Sequence, residues 1–161
     1  MNWRELPDES WLDYSVRKLC QRPYPGHRQG CPNFGKRDSC PPLTQRLESF
    51  MDIGDKLWLI WNRFDLGIHA TKMRVRHPEW SVRQVYCCLY WQGTARKELR
   101  LNIDAFLLEH PGLIVLTCPE AHGVNVTEAM RCIGIGLEWP PIKYAYQVAL
   151  AGKAYAARCG D

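Results

Sequence analysis

The stretch KLWLIWNRF, residues 56–64, decides how the chain folds. Successive side chains of a strand point to opposite faces. Leu57, Leu59 and Trp61 therefore share one side, and Trp58 and Ile60 the other. Both sides are apolar, which predicts a central strand covered on both faces rather than a half-wet amphipathic one. LIVLT, residues 113–117, is a shorter apolar run of the kind found in a buried parallel strand. Helical patterns lie between them. Residues 67–80 carry the basic group Lys72, Arg74, Arg76 and His77 and end at Pro78. Ser81 and Gln84 form a capping-box pair opening a helix to about residue 90, which contains Cys87 and Cys88. After Gly93, Thr94 opens a helix whose apolar stripe is Leu99, Ile103, Phe106 and Leu107, closed by Pro111 and Gly112.

The flanking segments extend this alternation. Pro7, Asp8 and Glu9 suit a helix start, and Trp11, Leu12, Val16 and Leu19 recur at helical spacing, predicting a helix over 7–19. A short helix is expected over 43–51, and another from Asn125, paired with Glu128, to about residue 135. Glu138-Trp139-Pro140-Pro141 forms a rigid break, after which 142–157, rich in small and aromatic residues, reads as a last helix. Helix and strand alternating in this way predict a single α/β domain with a mostly parallel sheet, flanking helices and one long cysteine-bearing loop.

Composition sets limits on function. The 161 residues are 46% hydrophobic and 24% charged, enough apolar content for a real core, which argues against disorder and fibre. The formal net charge of +4 favours an anionic partner. The first residues lack the basic start and apolar core of a signal peptide, and no run reaches the roughly 18 apolar residues of a membrane span. A cytoplasmic protein without membrane contact is the expectation. In that reducing compartment the eight cysteines are expected to be thiols or metal ligands rather than disulfides.

Three of those thiols lie in CQRPYPGHRQGCPNFGKRDSCPP, residues 20–42, a segment rich in proline and glycine with little to pack. A structureless loop longer than about 12–15 residues is uncommon in a compact domain unless it has a function. Cys20, Cys31 and Cys40 are separated by eleven and nine positions. Structural zinc sites draw ligands in pairs two to four residues apart, so this spacing favours an iron–sulfur cluster, which thiolates from a long loop can reach. Zinc, and buried thiols without metal, remain the alternatives. His27, in the same loop, is a candidate ligand or ligand-orienting donor.

Cys31-Pro32-Asn33-Phe34-Gly35, followed by Ser39-Cys40-Pro41-Pro42, resembles the C-P-N-Y-G-x-x-W-S-C-P-P signature of an uncharacterised family described as predicted metal-binding proteins. The match is close over about a dozen residues, with Phe34 in place of the tyrosine and Asp38 in place of the tryptophan. The family commonly carries a further cysteine-rich segment, where this chain has only the isolated Cys118 and Cys132. The resemblance implies metal binding through Cys20, Cys31 and Cys40 and brings no reaction with it.

Three thiolates leave one iron of a [4Fe-4S] cluster without a cysteine. Cys118, at the end of the LIVLT run, is the candidate fourth ligand, and Cys132 reads as core. Ligands of parallel sheets gather at the carboxyl ends of strands, which places Glu120 and His122 as candidate general acid or base. An open iron would bind substrate as a Lewis acid, and sulfur removal or transfer (a desulfidase, a sulfurtransferase, or a related lyase or hydrolase) on a small, nucleotide-like anion is the reaction it suggests. A fully ligated cluster would instead suit electron transfer. A third reading is a zinc- or cluster-stabilised module that binds nucleic acid through its basic groups, Arg17, Lys18, Arg22, Arg28, Lys36 and Arg37 around the loop, Lys72 to His77, and Arg96 to Arg100, with Trp91 and Gln92 beside Arg96 for stacking.

Overall fold

A computed structural model describes residues 2–7, 10–23 and 28–155; Asp8, Glu9, His27 and Cys159 lie outside them. Four strands, β1 (Trp3–Glu5), β2 (Trp58–Asp65), β3 (Ile114–Leu116) and β4 (Tyr144–Gly152), form one sheet in the order β1-β2-β4-β3. Every pairing is antiparallel, so the expected mostly parallel sheet is wrong. The error comes from residues 142–157, read as a helix. Their core is β4, which enters the sheet between β2 and β3 and pairs along all of β2, from Trp58↔Ala151 to Asp65↔Tyr144. β2 and β3 both run against β4 and so run the same way, but they never touch.

The central position of β2 follows from its two apolar faces. On one side Leu59 and Trp61 pack with Val148 and Leu150 of β4 and with Trp11, Met51 and Met130. On the other, Ile60 with Ala149 and Ala151 meets Leu99, Ile103 and Phe106 of α3 (Gln92–Glu109). The alanines of β4 leave room for the helix, and Phe106 is completely buried.

Several local predictions match the structure and others stop short. α1 (Leu66–Arg76) is capped by Asp65, whose side chain accepts the Ile68 N–H. The Ser81–Gln84 capping box is formed, but it opens only α2 (Val82–Val85), after which Cys88–Tyr90 is a separate 3₁₀ turn. α4 (Val126–Cys132) is capped by the Asn125 side chain accepting the Glu128 N–H, and it ends three residues earlier than expected. Leu12 does not continue a helix from Pro7. It forms a β-bridge with Val124, and the 3₁₀ helix Tyr14–Gln21 begins only after Asp13 caps it. Of the expected helix over 43–51, only the turn Leu47–Ser49 is present. Among the described residues no helix is long and apolar enough to cross a membrane.

Candidate functional site: thiols beside a cavity

The cysteine loop is fastened at its two ends. The Cys31 N–H donates to the Cys20 carbonyl at 2.7 Å, and the Gly35 N–H donates to the Pro41 carbonyl at 2.8 Å. Gly30 makes the first closure possible. Its φ is +81°, and a Cβ there would strike the Cys20 carbonyl itself. Cys40 is held in turn, its N–H donating to Arg37 and its carbonyl accepting from Thr44.

The loop is also brought to the turn after β3. Residues 11–13 lie against 123–125, with the Asp13 N–H on the Gly123 carbonyl and the Asn125 N–H on the Trp11 carbonyl, both at 2.8 Å. Gly123, at φ +102°, lies against the Tyr14 ring where any Cβ would collide. Together these contacts dock the 3₁₀ helix Tyr14–Gln21, which carries Cys20 near its end, on the 3₁₀ turn Pro119–His122, which follows directly on Cys118.

The electrostatics reflect that convergence. The Cys20 thiol has a raised pKa, first because of burial and then because Cys31, Cys40, Glu120 and Cys118 would all repel its thiolate. Cys118 is raised by burial and by Glu120, while a hydrogen bond with Thr117 and the charge of Arg96 act in the opposite direction. Burial raises Glu120 as well. Cys118 and Glu120 are nonetheless exposed residues by surface. The two descriptions agree once their place is considered: both line a cavity, where water reaches them while surrounding protein keeps bulk solvent away.

His122 stands elsewhere. It is 7% exposed, its Nδ1 lies 3.0 Å from the Gln45 carbonyl, and its ring meets Phe50 edge-on. That bond sets the proton on Nδ1, and burial lowers the imidazole pKa. His122 thus ties the turn to residue 45 and does not line the cavity. Cys132 is half-buried on α4, its Sγ 3.5 Å from Ser10 Oγ. Among the described residues no three His, Cys, Asp or Glu side chains are gathered so as to hold one metal ion. A zinc tetrahedron, with sulfurs bonded at about 2.3 Å, would need the thiols to close in. Cys20, Cys31 and Cys40, with Cys118, make an all-thiol donor set, the kind that iron–sulfur clusters also use.

The cavity, of about 340 Å³, exists because β3 is short. Its register ends at Leu116↔Leu150, whereas β4 extends on to Tyr144 beside β2 alone. The gap left along β4 is walled by Cys118 and Glu120, by Gln92 and Arg96 of α3, and by Trp139. Gln92 and Arg96 are legible in the sequence as polar groups near a helix start. Trp139, Tyr144 and Tyr146 are not, because a helical reading of 142–157 scatters side chains that a strand collects. The signal for the strand is the alternation of large apolar or aromatic Tyr144, Tyr146, Val148 and Leu150 with small Ala145, Ala149 and Ala151 and polar Gln147. No protein-family model, no curated protein and no solved structure significantly matches this chain.

Proposed function

We propose that the protein is an iron–sulfur enzyme in which Cys20, Cys31 and Cys40 hold a [4Fe-4S] cluster, with Cys118 at its border, acting on a small anionic molecule. The observation that carries the reading is the convergence of thiols from two distant segments: Cys31 and Cys40 of the loop and Cys118 of the turn after β3 each lie close enough to oppose the ionisation of Cys20. A loop pinned at both ends and docked on a turn bearing a fourth thiol is more than packing requires. When bound, the cluster would supply a Lewis-acidic iron if one of its corners lacks a cysteine.

The chain's own contribution is positional. Cys118 and Glu120 face the cavity, so a molecule there lies against the thiol site, and Glu120 is the carboxyl able to hold or deliver a proton to it. In this proposal His122 orients the turn and moves no proton. Sulfur removal or transfer remains the reaction of choice, since an iron without a cysteine would supply a Lewis-acidic site that needs no net redox change.

Anaerobic purification followed by iron and acid-labile sulfide analysis tests the reading. Cys20→Ser, Cys31→Ser and Cys40→Ser should each lose most of the iron, and Cys132→Ser should keep it. Iron-free, sulfide-free wild-type protein would end the proposal. Cys118→Ser then separates two forms: retained iron means an open corner and an enzyme, whereas loss of iron means a fully ligated cluster and an electron carrier.

A further inference from the structure

We propose that the cavity along β4 binds a small, flat-ringed anion, with Arg96 holding the charged group and Trp139 covering the ring. Its volume of about 340 Å³ lies at the lower end of the range for small-molecule sites, room for one ring system with one charged substituent. Three features of the walls point to this ligand.

The first is Arg96. It lines the cavity together with Cys118, and no described residue pairs with its guanidinium by hydrogen bond or salt bridge. It lies one turn into α3, an 18-residue helix whose positive end opens on the same space at Gln92. A planar guanidinium with unused donors recognises a carboxylate or a phosphate in a bidentate manner. The second is the state of the acidic residues in the wall. Glu138 is engaged: its Oε2 accepts the Ile142 and Lys143 N–H groups at 2.8 and 3.0 Å. Glu120 lies on the side of the thiols and makes no ion pair with Arg96. The cation is left to recognise an outside anion.

The third is Trp139. It is 69% exposed, an uncommon position for so large an apolar surface, and its indole is already fixed by a 3.0 Å bond from Nε1 to Thr127 Oγ1. Its N–H is satisfied and its rotamer chosen, so stacking a ring on it costs little further ordering. Tyr146 adds aromatic surface on the β4 wall, as does Tyr144, over whose ring the Arg63 guanidinium lies at 4.6 Å. An aliphatic anion would use Arg96 and leave these aromatics unused, and a neutral ring would do the opposite.

The inference rests on the iron–sulfur reading only for what happens to the ligand beside Cys118; binding itself requires no metal. The test is an NMR titration of the full-length, ¹⁵N-labelled, anaerobically purified protein, following the Trp139 indole N–H, which is assigned by its disappearance in Trp139→Phe. The probes are benzoate and phenyl phosphate, with benzamide as the uncharged ring and cyclohexanecarboxylate as the non-planar anion. Benzoate or phenyl phosphate should give a saturable shift, and the stronger of the two says whether carboxylate or phosphate is preferred. Benzamide and cyclohexanecarboxylate should bind at least about tenfold more weakly. Arg96→Gln should weaken the preferred anion by about tenfold or more, Arg96→Lys by less, and Lys97→Gln on the same exposed helix not at all. Equal binding of benzamide, an unchanged affinity in Arg96→Gln, or no saturable shift with any probe would overturn the inference. Iron analysis of the same samples keeps the two claims apart. Saturable, Arg96-dependent binding in iron-free protein supports the cavity and ends the cluster, and iron-loaded protein that binds no probe does the reverse.

Discussion

Single residues in this site act through what surrounds them. Cys20 and Cys118 have thiol pKa values above the usual range, Cys20 because burial and three other thiols oppose its ionisation, Cys118 because burial and Glu120 do. Alkylation proceeds through the thiolate. In metal-free protein both should therefore react with iodoacetamide more slowly than an unfolded control at pH 7.5, with the gap narrowing as pH rises above about 8.5. Peptide mass spectrometry reads each site, and faster reaction of Cys20 than in the unfolded chain would refute this account. Gly30 is a second case. Alanine there must adopt φ +81° with its Cβ against the Cys20 carbonyl, a left-handed backbone costing about 1–2 kcal/mol before the collision is counted. Gly30→Ala should lower the denaturation midpoint and, by detaching Cys31 from Cys20, reduce iron retention. Cys20, Cys31 and Cys40 are legible as a group in the sequence because their spacing is local. The approach of Cys118 rests on contacts between residues more than a hundred positions apart.

At the level of elements, α3 and β4 position the cavity. α3 packs on β4 only because Ala149 and Ala151 are small and completely buried. Ala149→Leu should overpack that contact and cost about 1–3 kcal/mol, seen as a lower urea midpoint with an unchanged slope. No penalty would mean that helix and sheet are less closely packed than described. The cap of α4 is another local device: Asn125→Ala should cost about 1 kcal/mol by releasing the Glu128 N–H. Caps of this kind were readable in advance, since Asn125 with Glu128 and Ser81 with Gln84 act within one turn. β4 was not, because alanine suits a helix by propensity and a strand only when a helix packs against its small face.

For the whole molecule, two histidines link stability to pH. His69 and His122 both have pKa values below the usual 6.5, chiefly through burial, with Lys72 and Arg17 respectively adding to the effect. A neutral imidazole in the fold and an ordinary one in the unfolded chain means that the unfolded state takes up protons first. Their contribution is complete above about pH 6.5 and is lost as pH falls from there through the lowered folded values. Urea titrations at pH 7.5 and 5.5 should show a lower midpoint in acid, and His69→Asn should narrow the difference. An equal difference in the variant would remove His69 from the account.

Local features were legible from the residues alone: β2 with its two apolar faces, the stripe of α3, the helix caps, and a long loop bearing three cysteines. These depend on neighbours within a turn or a pleat, where spacing and side-chain chemistry suffice. That 142–157 contributes a strand, that it enters between β2 and β3, and that the sheet is antiparallel throughout emerges from long-range packing. Strand pairing is a choice among distant partners, made by which faces bury each other. The same choice leaves β4 running past the end of β3, and so places a cavity beside Cys118.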